Sequence, residues 1–379
     1  MSEYQYYEWQ AIDRPLTQKE QAEVEGLSSH MDEVTSTRAV VTYEWGDFKH
    51  DPAQVLATYF DAFMYYANWG NQWLAFRFPK HLLDAASVEP YLWEEEVTLA
   101  PAGEHVVLTI APQDEESYDD VDYEASLGTL AGVREEILNG DMRALYLAWL
   151  IVARLADYED DDEHENDEAE DGAALEPPVP PGLQGLTAAQ SALARFFGLD
   201  PYLIQAAAEA SPRLEARQDT LWREMLGRLP AAERDEFLLR LVQGEPHLSG
   251  VLKRRLRELA GAQKLPAVGE RCRTLGELSA QADRLRKAAQ RREKEAAEAR
   301  RRQELQALAA REPRAWREVD ELLLKKTGAA YDRAVALLRE LRDLASAQGR
   351  LPEFQVRLAE LQAQHARSRA LQERLQKLS

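Results

Sequence analysis

Seven histidines, one cysteine and 67 carboxylates are the groups through which this 379-residue chain could hold a metal or move protons. The histidines are His30, His50, His81, His105, His164, His247 and His365, and no two have the i, i+4 spacing that sets two imidazoles on one helix face. Cys272 lies between Arg271 and Arg273, cations that favour a thiolate, but no histidine stands near it in sequence to serve as its base. Phosphate-cradling loops of the G-x-x-x-x-G-K-[ST] or G-x-G-x-x-G kind are missing, and so is the G-x-S-x-G of an elbow serine hydrolase. The acids Glu94, Glu95 and Glu96, and those between 114 and 124, lack the calcium-loop spacing and read as solvated loops. No catalytic residue, cofactor or metal is therefore expected.

Two segments remain as candidate binding surfaces. The first is the loop at 45–51, where Trp45, Asp47, Lys49 and His50 mix an aromatic ring with both signs of charge around Gly46. It falls between a strand and a helix, a common place for ligands in α/β sheets. It reads equally as a plain connection in which Trp45 joins the core and Asp51 caps a helix. Asp13 and Arg14, at the end of the first strand, approach the same edge if the strands are parallel, as a local ion pair. The second candidate is the basic stretch 286–302: Arg286, Lys287, Arg291, Arg292, Lys294, Arg300, Arg301 and Arg302, against three glutamates. Clustered cations bind nucleic acid by releasing phosphate counterions, but these are interleaved with glutamate, spread around the helix, and have no aromatics nearby to stack on bases.

The elements that must carry these segments alternate at first. Residues 4–12 are rich in aromatics, as strands are. Thr17 with Glu20 forms a capping box opening a helix to about residue 28. Residues 38–45 read as a second strand with Val41, Tyr43 and Trp45 on one face. Asp51 and Pro52 open a helix whose stripe is Val55, Leu56, Tyr59, Phe60, Phe63 and Met64, ended by Gly70. A strand at 73–78, a short helix near 82–92, a hairpin of 97–100 with 105–110, and helices at 125–138 and 141–156 complete the segment. The expected class is α+β, mainly α overall: an N-terminal α/β sheet domain (1–157), then an all-α helical-bundle or solenoid-like region with one long charged helix.

Ten acids in the 13 residues 159–171, followed by Pro177, Pro178, Pro180 and Pro181, predict a disordered linker at 158–186, because self-repelling carboxylates without apolar surface cannot offset chain entropy. Beyond it the periodicity is helical throughout: a bundle at 187–265, a long charged helix at 274–311, and helical hairpins at 313–379. The stripes include Phe237, Leu238 and Leu241; Trp316, Val319, Leu322 and Leu323; and Ala334, Leu337, Leu338, Leu341 and Leu344. The seam of the long helix (Leu275, Leu278, Ala282, Leu285, Ala289) fails at Arg292, short of a coiled coil's heptads. Net charge is −21, but residues 1–200 hold 41 acids and 10 bases while the remainder holds 26 and 36. Such asymmetry points to two surfaces with different partners, or equally to one half screening the other within the same molecule.

The most apolar run, residues 144–155, is shorter than the roughly 20 residues a membrane span needs. With one cysteine and no secretory leader pattern, the cytoplasm is the expected compartment. The stretch Tyr7-Glu8-Trp9-Gln10-Ala11-Ile12-Asp13-Arg14-Pro15-Leu16-Thr17, with residues 43–49, resembles the N-terminus of an uncharacterised bacterial protein family, and Trp316 with Tyr331-Asp332-Arg333-Ala334-Val335 resembles its helical tail. The resemblance implies a bacterial, cytoplasmic protein and no activity. The expected function is that of a non-enzymatic scaffold or adaptor with protein partners. A nucleic-acid-associated protein using 286–302, and an enzyme with a site at 45–51, are the alternatives.

Overall fold

The computed structural model describes residues 4–113, 125–163, 174–214, 218–245, 248–260 and 273–376. The chain divides into two compact units, Met1–Arg286 and Lys287–Ser379. The first runs β1 (Gln5–Gln10), α1 (Gln18–Glu25), β2 (Met31–Val34), β3 (Arg38–Tyr43), α2 (Pro52–Tyr59), β4 (Ala62–Ala67), β5 (Gln72–Pro79), α3 (Ala85–Val88), β6 (Val97–Ala102) and β7 (His105–Ile110). Then come α4 (Leu127–Leu130), α5 (Gly132–Leu138), α6 (Arg143–Glu163), α7 (Ala188–Phe196), α8 (Pro201–Ala210), α9 (Gln218–Arg228), α10 (Ala231–Val242) and α11 (Leu248–Ala260). The long α12 (Leu275–Ala310) begins in the first unit and ends in the second, followed by α13 (Glu312–Leu324), α14 (Gly328–Ala347), α15 (Leu351–Gln364) and α16 (Arg369–Leu375). The fold is mixed α+β and mainly helical, with a seven-stranded antiparallel sheet at the N-terminal end.

The sheet order is β2-β3-β1-β4-β5-β7-β6. Period-two alternation sends successive side chains to opposite faces, and both faces are covered. On one, Tyr7, Trp9, Val41, Phe63 and Ala75 pack against Leu16 and Val24 on the α1 side and Val55, Leu56 and Phe60 on the α2 side. The fully buried Trp9 donates its indole N–H to the Pro52 carbonyl at 3.2 Å. On the other, Met64, Tyr66, Leu74, Phe76, Phe78 and Leu108 pack against the apolar run of α6, in which Ala144 through Ala153 are all buried.

Four sequence expectations give way here. The stripe read as one helix through Met64 breaks at Tyr59, and residues 62–67 form β4. A strand buried on both faces shows a continuous apolar run rather than alternation, so Phe60, Phe63 and Met64 mimic a helical stripe. The edge strand β2 was not expected, and Trp45 lies beyond the end of β3, which stops at Tyr43. Finally, the boundary lies at 286/287 rather than in 158–186. Residues up to Glu163 belong to α6, 164–173 lie outside the described residues, and 174–186 are seated on the core. There Glu176 is buried, accepts from the Arg273 guanidinium at 2.6 and 2.8 Å and from the Tyr146 hydroxyl, and the Pro178 carbonyl accepts from Tyr91 at 2.8 Å. Burial, reinforced by Glu176, pushes the Tyr146 hydroxyl far above its ordinary pKa. Helices α7 and α8 then bury Leu193, Phe196, Leu203 and Ala207 in the sheet's own core.

Helices α9, α10 and α11 form a separate small cluster of Met225, Leu229, Phe237, Leu248 and Leu256. In the second unit, Leu308 of α12 joins Trp316, Val319, Leu323, Leu338, Leu341, Phe354, Leu358 and Leu371, and the Arg357 guanidinium lies 4.0 Å from the Trp316 ring centroid. Leu338 is fully buried and Leu337 only partly. Leu338→Ala is therefore expected to cost about 2–5 kcal/mol, and Leu337→Ala clearly less. Hydrogen exchange of the α14 amides in the full chain measures both, and equal losses of protection would refute this packing.

Candidate functional site

The loop at 45–51 is held from beneath by Gln5. The Gln5 side-chain amide donates to the Gly46 carbonyl at 3.0 Å and to the Asp47 carboxylate at 2.8 Å. Its own oxygen accepts from the Tyr7 and Tyr65 hydroxyls at 2.6 and 3.2 Å. Gly46 takes a φ of +79°, a left-handed turn that a side chain resists. Burial, with the Asp47 carboxylate close by, pushes the Tyr7 hydroxyl up to about 12. Phe48, not Trp45, fills the core position, against Tyr7 and Trp9. Trp45 stands 72% exposed, and Asp47, Lys49 and His50 are exposed too. Asp51 caps α2 by accepting from the Ala53 N–H at 2.9 Å. Among the described residues no hydrogen bond or ion pair joins Asp47, Lys49 and His50 to one another.

Asp13 and Arg14 do not approach this loop. Because β1 and β3 are antiparallel, the loop faces Gln5 and the Asp13 end of β1 lies at the far edge. Arg14 instead pairs with Glu20 at 2.6 Å. Asp13 enters a charge cluster that the sequence reading missed. Arg134 of α5, fully buried, grips Asp13 through two bonds of 2.8 and 2.7 Å and donates Nε to the Arg77 carbonyl at 2.7 Å. Beside it the buried Asp61 accepts from the Ile12 and Asp13 N–H groups at 2.7 and 2.9 Å and from Arg77 at 2.8 Å. Two carboxylates thus meet two guanidiniums. Burial pushes the Asp61 carboxyl up, but the N–H groups of Asp13 and Ile12 and the Arg77 guanidinium together outweigh it and hold the carboxyl below its ordinary value. Part of the signal was present in sequence: Arg77 interrupts the apolar run Leu74 to Phe78, whereas Arg134 stands beside Glu135 and Glu136.

The basic stretch is divided. Arg286 belongs to the first unit, pairs with Asp200 and Asp283, and lies 5.8 Å from the Tyr202 ring centroid. The other seven cations belong to the second unit. Arg291 pairs with Glu295 at 2.9 Å, and Arg301 with Glu304 at 3.3 Å and with Asp343. Lys287, Arg292, Lys294, Arg300 and Arg302 are exposed and form no ion pair with a described residue. From Gln290 to Glu304 every residue of α12 is exposed.

The first unit also holds an open groove of about 740 Å³ along α8, floored by Leu183, Leu186, Ile204 and Ala208. Its Gln184 and Ser211 side chains are spent on backbone carbonyls, Ser211 on Pro180 at 2.7 Å and Gln184 on Ala208 at 2.8 Å. Among the described residues no cluster of histidine, cysteine or acid could hold a metal ion, and no helix is long and apolar enough to cross a membrane. No family model matches the chain, and neither a curated protein nor a solved structure matches it.

A further surface departs from the sequence reading. Phe237, Leu238 and Leu241 had been expected to share one packing stripe, but on α10 only Phe237 turns inward. Leu238, Leu239, Leu241 and Val242 point outward, each between 56 and 86% exposed. Arg240 lies over the inner Phe237 ring at 5.3 Å and is tied to Glu245, which leaves the leucine face clear of that pair. The remaining large apolar side chains exposed among the described residues (Ile12, Trp45, Leu175, Leu214, Leu324 and Val356) are well apart in sequence.

The charge cluster yields a signed expectation. Asp61→Asn leaves two guanidiniums facing one carboxylate, a loss of about 3–5 kcal/mol for a broken buried pair. A carboxyl held below its ordinary 3.8 contributes stability that is complete above that value and lost as pH falls through the lower, folded one. Thermal unfolding from pH 7 downward should therefore show a steeper acid loss in the parent than in Asp61→Asn. Identical profiles would remove Asp61 from this role.

Proposed function

We propose that this chain is a cytoplasmic scaffold or adaptor that presents the outward face of α10 to an apolar groove on another protein. The single observation behind this reading is the run of four large apolar side chains, Leu238, Leu239, Leu241 and Val242, left in water on one short helix. Leaving a leucine or valine side chain exposed forfeits roughly 1.5–3 kcal/mol of burial each. Clustered exposure of this kind marks interaction sites, whereas single exposed apolar residues are ordinary. Leu238, Leu241 and Val242 follow the i, i+3, i+4 spacing by which an amphipathic helix enters a groove. The small cluster beneath, closed by Phe237, Met225 and Leu256, holds α10 in place without using that face. A cytoplasmic setting accords with the single cysteine.

The loop at 45–51 lends the enzymatic alternative little, because its polar groups are spread over open surface and its two part-buried bonds from Gln5, to Gly46 and Asp47, are tethers.

The test is the double substitution Leu238→Glu with Val242→Glu, which keeps good helix formers on an exposed face. The full chain should retain its circular dichroism and melting temperature and lose at least tenfold of any stoichiometric partner recovered by the parent from the native lysate. Equal recovery by both proteins, or no stoichiometric partner for the parent, would end the reading.

A further inference from the structure

We infer that the second unit carries a nucleic-acid-backbone binding face on α12, made by Lys287, Arg291, Lys294, Arg301 and Arg302. Successive helix residues turn by about 100°, so these five cations fall within an arc of roughly 100° along about 22 Å of helix axis. Glu298 lies inside that arc and Glu295 at its border. Arg292, Arg300 and Arg286 point outside the arc, and Arg286 belongs to the first unit. Arg291 and Arg301 lie within it while also pairing at its edges, with Glu295 and with Glu304 and Asp343. The face is therefore narrower, and more strongly of one sign, than the interleaved sequence implied. Three of its members, Lys287, Lys294 and Arg302, have no ion pair with a described residue.

Two observations select a polyanion over an acidic protein. Between 287 and 302 the only apolar residues are alanines, Ala288, Ala289, Ala296, Ala297 and Ala299. Protein interfaces set arginine beside buried aromatic and aliphatic side chains in a dehydrated centre, and this face offers arginine without any large apolar side chain to dehydrate it. A phosphodiester backbone asks for cations alone, through counterion release. The helix is also exposed on every side from Gln290 to Glu304. A bare helix 10–12 Å across fits the roughly 12 Å major groove of a duplex. The charge of the whole chain, −21, opposes association, yet the 93 residues of the second unit hold 21 Lys and Arg against 14 Asp and Glu. The contacts proposed are to phosphates, which carry no sequence information, so the binding does not depend on base sequence.

Fluorescence anisotropy of the full chain with a labelled duplex DNA, and with a single strand of the same length, tests this. Binding at low salt should weaken as salt rises, with a log–log slope of about −0.9 per phosphate contacted on the duplex. The triple variant K287E/K294E/R302E should lose at least tenfold in affinity and flatten the slope by about three. The control R333E/R339E/R367E alters net charge by the same amount at exposed cations elsewhere in the same unit, on α14 and in the turn before α16, and should cost less than threefold. A duplex bound more tightly than the single strand supports the groove. No binding by the parent at low salt, equal losses in the two triple variants, or tighter binding to the single strand would overturn the proposal. None of these results bears on α10, whose test uses different residues and a protein readout.

Discussion

The sheet of the first unit depends on a carboxylate buried where four chain segments converge. Asp61 opens β4, takes N–H bonds from the two residues that leave β1, and receives the guanidinium of Arg77 from β5. Arg134 brings in α5 by holding Asp13 and the Arg77 carbonyl together. Isolated ions buried at such depth would be prohibitively costly, and attraction offsets that cost only when every partner is in place. The cluster thus acts as a register lock. A one-residue slip of β4 against β1 would both turn Phe63 and Met64 to the wrong faces and strand two arginines in an apolar interior.

Much of this architecture was legible wherever one local rule decided the outcome. The Thr17 and Glu20 capping box, Asp51 before Pro52, the hairpin of β6 and β7, and the apolar run of α6 each follow from a single short-range signal. What was not legible required knowing a neighbour. Phe60, Phe63 and Met64 spell a helix until β1 and β5 are present to pair with β4 and the α1/α2 side and α6 to cover its two faces. Phe48 and Trp45 are equally good core residues by type, and only the tether from Gln5 to Gly46 decides which one turns in.

The candidate sites obey the same division. The basic stretch was visible as composition, but which of its cations carry ion pairs emerges only with the positions of Asp200, Asp283, Glu295, Glu304 and Asp343. The outward leucines of α10 were hidden by their own spacing, which suits a core stripe and an exposed one alike. Arg77 is a charge within an apolar run and Arg134 one of three consecutive charges, and neither reads as buried until its partner, far away in sequence, is located.

The contact between Glu176 and Arg273 has a kinetic side. The Glu176 N–H meets the Arg273 carbonyl at 2.9 Å, and a neighbouring bridge pairs Leu175 with Thr274. Between these contacts the chain first lays α7 and α8 into the sheet's core, then forms the separate cluster of α9 to α11, and meets Glu176 again at Arg273, nearly a hundred residues on. Closing so long a loop is entropically slow. The opening turns of α12, whose Leu275 and Leu278 complete the sheet's core, are thus placed to be among the last parts of that unit to settle during folding.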